Sequence, residues 1–318
     1  MPAADSPLLP ASAAAGLSAG TSSDTPPSAP ATARPTFFRG RPRTAFVFAG
    51  GASLGALQAG MVRALYERGI AADLFVGTSA GALNAAYLAS RPQTVQTAVE
   101  LGRVWCAVRR DDVFPIHPMT LIGGLASHRN HMVPDRPLRR LISRHLQLER
   151  LQDAPVPVHV TCFDLLSGEQ VCLCDGPAPE AILAAAAIPG VLPPVEWGER
   201  LLVDGGVVNN TPISHAIELG AKRIYVLPTE DPTRRGLPLP PRGALDAAVH
   251  ALTLLVGARL EADLARYAAD AELIVLPAAN PGNVQPTDFD QAADLIRAAL
   301  TAARDALSNT SISEEIAA

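Results

Sequence analysis

Three stretches of this chain carry residues whose types and spacing could do chemistry. Gly77-Thr78-Ser79-Ala80-Gly81 sets a serine in the pattern Gly-x-Ser-x-Gly. At a sharp strand-to-helix turn such a serine is exposed, and a side chain at either flanking glycine would collide with the neighbouring strand or helix. Ser79 is the candidate nucleophile, with the positive end of the following helix beneath the oxygen where negative charge develops. Gly50-Gly51-Ala52-Ser53-Leu54-Gly55 is a second glycine loop, and the amides of Gly50, Gly51, Ala52 and Ser53 are candidate oxyanion donors. The third stretch runs from Leu202 to Asn210 and holds Asp204 ahead of Gly205-Gly206. A carboxylate there could take the proton of Ser79 with no histidine between them.

Each stretch alone has a plainer explanation. Ser79 could cap a helix that begins at Ala80. Asp204-Gly205 could be a turn in which the aspartate bonds its own backbone. The first loop is not a dinucleotide fingerprint, because Ala52 breaks Gly-x-Gly-x-x-Gly, and no Gly-Lys-Ser/Thr follows to make a phosphate loop.

The elements that must position these residues are legible as alternating strands and helices. Residues 45–48 form a wholly apolar run before Gly50, the pattern of a buried parallel strand. Apolar positions at three and four then predict a helix over 57–68, stopped by Gly69. The unit repeats with a strand over 74–76, the Ser79 turn and a helix over 80–89, and consecutive units of this kind build a parallel sheet. Further on, 157–165 and 170–174 read as a hairpin around 166–169, followed by a helix over 181–187 that Pro189-Gly190 breaks. Strands are expected at 201–203, 223–227 and 272–276, and helices at 213–219, 244–268 and 288–307. A Pro- and Arg-rich loop is expected over 228–242.

Together the three blocks resemble the signature of the patatin-like phospholipase family. Connecting text agrees, with Ala187-Ile188-Pro189-Gly190-Val191-Leu192-Pro193-Pro194 before the aspartate strand and Asn209-Asn210-Thr211-Pro212 after it. The resemblance spans residues 44–227. It implies an α/β fold of three layers, α/β/α, around a mostly parallel sheet. It also implies a Ser79–Asp204 dyad hydrolysing carboxylic esters of lipids through an acyl-enzyme, with no metal and no organic cofactor. Gly55, Gly77, Gly81, Gly205 and Gly206 are the motif glycines. The chain departs from the family twice: Ala52 stands at a third glycine and Leu54 at a basic residue. That departure motivates an alternative, a weak or silent family member that binds an acyl chain or a partner.

Composition sets the remaining bounds. Of 318 residues 48% are hydrophobic, enough for one large core, and a net charge of −5 without a basic block argues against nucleic acid as a partner. No apolar run of about 20 residues is present to span a membrane. Residues 1–42 read as a disordered Ala/Ser/Pro-rich leader lacking the basic and apolar segments of a secretory signal, 43–308 as the catalytic domain and 309–318 as a flexible tail. Cys106, Cys162, Cys172 and Cys174 read as free thiols of a reducing, cytoplasmic protein, Cys172 and Cys174 as buried ones, rather than as zinc ligands. The stretch 114–134, with Leu121 and Ile122 among breakers, is a candidate lid or peripheral membrane contact. His215 and His250 are candidates for a histidine triad, disfavoured for His215 by its closeness to Asp204. His117, His128 and His131 match no metal spacing.

Overall fold

The computed structural model describes residues 43–115, 130–231, 244–280 and 284–317. Leu121, Ile122, His117 and His128, and with them most of the expected lid, lie outside this set, as do the leader and most of the 228–242 loop. In chain order the first part reads β1 (Arg43–Phe48), α1 (Ala56–Glu67), β2 (Leu74–Thr78), α2 (Ala80–Ala89), α3 (Val95–Ala107), a short α4 (Arg110–Val113) and α5 (Arg136–His145). There follow β3 (Val158–Asp164), β4 (Gln170–Leu173), α6 (Ala178–Ala185), β5 (Val195–Trp197), β6 (Arg200–Asp204), α7 (Gly206–Asn209), α8 (Ile213–Glu218) and β7 (Ala221–Leu227). The chain ends with α9 (Ala244–Tyr267), β8 (Glu272–Val275) and α10 (Ala292–Ala317).

The strands form one sheet in the order β5-β6-β3-β2-β1-β7-β8, with β4 paired to β3. β1 is parallel to both β2 and β7, and β2–β3 and β7–β8 are parallel too, while β3–β4, β3–β6 and β5–β6 are antiparallel. Helices cover both faces, which is why β1 is apolar at every position from Ala45 to Phe48. Successive side chains on a strand alternate between faces. Phe46 and Phe48 join the larger core cluster with α1, α2, α3 and α10. Ala45 and Val47 join the smaller one with Ile213, Ala216 and Leu260, which come from α8 and α9. The result is the three-layer α/β/α arrangement.

The last helix departs from expectation. It begins at Ala292 rather than 288 and continues to Ala317, through the stretch expected to be a flexible tail. No proline or glycine interrupts residues 292–317, so nothing local stops the helix at 307.

Candidate active site

Ser79 occupies the turn between β2 and α2 with φ 55° and ψ −126°. A non-glycine residue in that region stores about 1–3 kcal/mol of strain and persists only where its surroundings hold it. The flanking glycines supply the holding. A Cβ on Gly77 would lie 2.4 Å from the Gly81 carbonyl oxygen, and one on Gly81 would lie 2.3 Å from that of Phe48. The backbone thus closes on itself around Ser79, whose N–H donates to Ala185 O at 3.1 Å. Ser79 is in the N-cap position of α2, yet its hydroxyl makes no capping bond. The plainer reading of this serine therefore fails, and the hydroxyl is turned to Asp204 instead.

Strand register explains how two residues so distant in sequence meet. β3 pairs β4 through Val160–Phe163, β2 through Thr161 and the residues before it, and β6 from Cys162 onward. β2 and β6 overlap β4 along β3 but not each other, so they share its other edge, running toward one another. Thr78 pairs Thr161, and Asp204 pairs Cys162, the next residue. The strand ends that carry Ser79 and Asp204 therefore converge head to head. A Cβ on Gly205 would lie 2.5 Å from Thr161 O, so the chain can turn out of β6 against β3 only with glycine there.

The Asp204 carboxylate is buried, and burial raises its pKa from 3.8 to about 6, against the opposing effect of hydrogen bonds from the Ser79 hydroxyl and the Gly206 amide. Gly206 N–H donates to Oδ1 at 2.8 Å, so the turn-type bond expected of an Asp-Gly pair is also made. Desolvation disfavours the charged form, which leaves a carboxylate that is ionised at neutral pH yet far more basic than a free one. The same burial, together with Asp204 itself, raises the pKa of the neighbouring Cys162 thiol.

The first glycine loop corrects the expected donor set. Gly50 N–H is spent on Asn210 O at 3.1 Å and Ser53 N–H on Pro286 O at 3.1 Å, so neither amide is open to an oxyanion. Gly51 and Ala52 have no amide partner among the described residues. Ala52 has φ 48°, unusual for a residue with a side chain. Gly55 packs against Trp105, whose ring carbon would be 2.7 Å from an added Cβ. Leu54, at the position where the family has a basic residue, is 2% exposed and part of the core, facing away from solvent.

Sequence reasoning missed the polar residues that brace this loop. Trp105 Nε1 donates to Asn84 Oδ1 at 2.8 Å, Asn84 Nδ2 donates to Gly55 O at 2.9 Å and to Gln58 Oε1 at 2.7 Å. Gln58 Nε2 in turn donates to Ala49 O at 2.8 Å and Leu227 O at 2.9 Å. The available signal was a lone amide on the apolar faces of two helices, since a buried amide must be hydrogen-bonded.

Ser79 and Ala52 line an apolar cleft whose other walls include Leu83, Val104, Trp105, Ile142 and Phe289. Ligand sites of this kind are apolar with few convergent polar groups. His215 lies elsewhere: its Nδ1 is 3.2 Å from Glu218 and its Nε2 contacts Gln170, so it is not aimed at Asp204. His131 is beside Asn130, and no group of acidic, His or Cys side chains among the described residues could hold a metal ion. The four cysteines are free, with Cys162 buried, Cys106 exposed, and Cys172 and Cys174 intermediate; burial raises the pKa of the Cys172 thiol to about 12 and that of Cys174 less.

The patatin-like phospholipase family model matches residues 46–217, more than half of the 318-residue chain. The chain belongs to this family. The match contains Gly50–Gly55, Ser79 and Asp204. An uncharacterized NTE family protein of Mycobacterium tuberculosis is 30% identical over 175 residues, covering 52% of this chain and 27% of that protein. Human patatin-like phospholipase domain-containing protein 6 is 28% identical over 188 residues, 58% of this chain and 13% of its own. The chain thus matches only about a quarter or less of these relatives' length. Among solved structures, VipD from Legionella pneumophila aligns at 15% identity with a TM-score of 0.44, covering 85% of this chain and 67% of that one.

Proposed function

We propose that this patatin-like protein is a serine acyl hydrolase that cleaves carboxylic ester bonds of lipids through Ser79 and Asp204. One observation carries the reading: a serine hydroxyl held at a strained turn faces a buried carboxylate with a pKa of about 6, at the wall of an apolar cleft. Ser79 Oγ attacks the ester carbonyl carbon while its proton passes to Asp204. The tetrahedral oxyanion takes hydrogen bonds from the amides of Gly51 and Ala52, which have no partner among the described residues. Collapse expels the alcohol, which takes the proton from Asp204 and leaves an acyl-serine. Asp204 then deprotonates water, which attacks the acyl carbon, and the fatty acid leaves as Ser79 recovers its proton.

The acyl chain fits the apolar cleft. Since Leu54 is packed in the core, no cation from that position meets a headgroup, and this favours esters whose binding rests on the chain. The free cysteines are in keeping with a reducing compartment, and we assign the protein to the cytoplasm in peripheral contact with lipid. No described helix is long and apolar enough to cross a membrane.

The test is hydrolysis of a soluble nitrophenyl acyl series and of phospholipid micelles by wild type, Ser79→Ala and Asp204→Asn. Turnover by wild type alone supports the dyad. A folded wild type that hydrolyses neither substrate overturns it and points to an acyl-binding protein without catalysis.

A further inference from the structure

Thr229 lies beyond the part of the chain that the family model matches, just after β7. It is 3% exposed, and its hydroxyl donates to Gly50 O at 2.5 Å. Asn210 Nδ2 donates to the same oxygen at 3.1 Å. The Thr229 side chain also closes over the next α carbon, since a Cβ on Gly51 would lie 2.4 Å from Thr229 Oγ1 and 2.6 Å from its Cβ.

Gly50 C=O and Gly51 N–H belong to one planar peptide, and in a trans peptide they point in opposite directions. Two donors on the carbonyl therefore fix where the Gly51 N–H points. They also draw electron density toward the oxygen, which makes the N–H at the other end a stronger donor, as in any hydrogen-bonded chain of peptides. The anchor is rigid, because β7 is paired to β1 and Ala49 N–H donates to Leu227 O at 3.2 Å.

We infer that Thr229 is a positioning residue: with Asn210 it orients and polarises the Gly50–Gly51 peptide so that the Gly51 amide stabilises the oxyanion. The inference rests on the hydrolase reading above. It differs from a packing role in a measurable way. Stabilisation of charge that exists only in the transition state changes kcat, whereas lost binding changes KM.

The experiment compares the full chain as wild type, Thr229→Val and Thr229→Ser on a soluble nitrophenyl ester, with Ser79→Ala as the control and thermal midpoints measured for each. Valine keeps the shape and removes the donor; serine keeps the donor. Expected is a fall in kcat of roughly tenfold for Thr229→Val. KM stays within about twofold of wild type, and Thr229→Ser recovers most of the rate. An unchanged kcat in Thr229→Val overturns the inference, as does a loss carried by KM, or one that serine does not rescue. Should the valine variant not fold, Thr229→Ala removes the donor without adding bulk and is read the same way. Absence of Ser79-dependent turnover in wild type instead overturns the hydrolase reading, and this inference with it.

Discussion

Replacing Asp204 by asparagine should stabilise the fold increasingly as pH rises from about 4 to above 6. The carboxyl is raised from 3.8 to about 6 by burial. Between those values the folded state holds a proton that the unfolded chain has already released. Stability of wild type therefore is greatest below the unfolded value and is lost as pH rises through the folded one. At about 1.4 kcal/mol per pH unit, the loss from this one group approaches 3 kcal/mol. Asparagine does not titrate, so the difference in unfolding free energy between the variant and wild type cancels every other ionising group. Its value at any one pH includes a constant for the new amide, whose NH₂ needs an acceptor, but its slope does not. The assay is urea unfolding of both proteins from pH 4 to 8. A difference that grows by 2–3 kcal/mol in favour of Asp204→Asn and levels off above pH 7 is expected. A flat difference, or one that shrinks as pH rises, would refute the buried carboxylate, only partly compensated by its two hydrogen bonds, on which the general-base role depends.

Three further outcomes follow from the same geometry. Because Asp204 must be ionised to accept a proton, kcat/KM for a soluble ester should rise through an apparent pKa near 6 and fall about tenfold per pH unit below it. A pH-independent rate between 5 and 8 would be inconsistent with that base. Gly81→Ala should lose about 3 kcal/mol or more in urea unfolding, because its Cβ would lie 2.3 Å from Phe48 O and 2.7 Å from Ala49 O, both backbone atoms at the end of a central strand; a loss under about 1 kcal/mol would show that the elbow can relax. Ala52→Gly should raise stability by about 1 kcal/mol by relieving the φ of 48°, and an unchanged or lower value would show no strain there.

The parts of this fold that were legible in the sequence are those set by local periodicity. The run Ala45–Phe48, the helix after Gly55 with its stop at Gly69, and the strand before Ser79 all appear where the pattern put them. So does the hairpin of β3 and β4. Helices Val95–Ala107 and Arg136–His145 were missed. The second carries Leu138, Leu141 and Ile142 at i, i+3 and i+4 among charged residues, with Pro137 in its first turn, so the helical signal was present in the sequence. The strand Val195–Trp197 was missed because three residues carry no period, and its existence depends on pairing with β6 across a turn at Gly198. The site divides in the same way. Ser79, Asp204 and their glycines announce themselves by spacing. Which amides of the first loop are taken up does not, since Gly50 and Ser53 donate to Asn210 and Pro286, residues far along the chain. The same holds for Gln58, Asn84 and Thr229, whose partners are backbone atoms that only the folded chain brings near.

The central claim is that Ser79 is a nucleophile activated by Asp204. An acyl-directed fluorophosphonate should react covalently with the wild-type chain, and peptide mass spectrometry should find the adduct on Ser79. Ser79→Ala should not label, and Asp204→Asn should label much more slowly. An adduct on any other residue, or equal labelling of wild type and Asp204→Asn, would contradict the account.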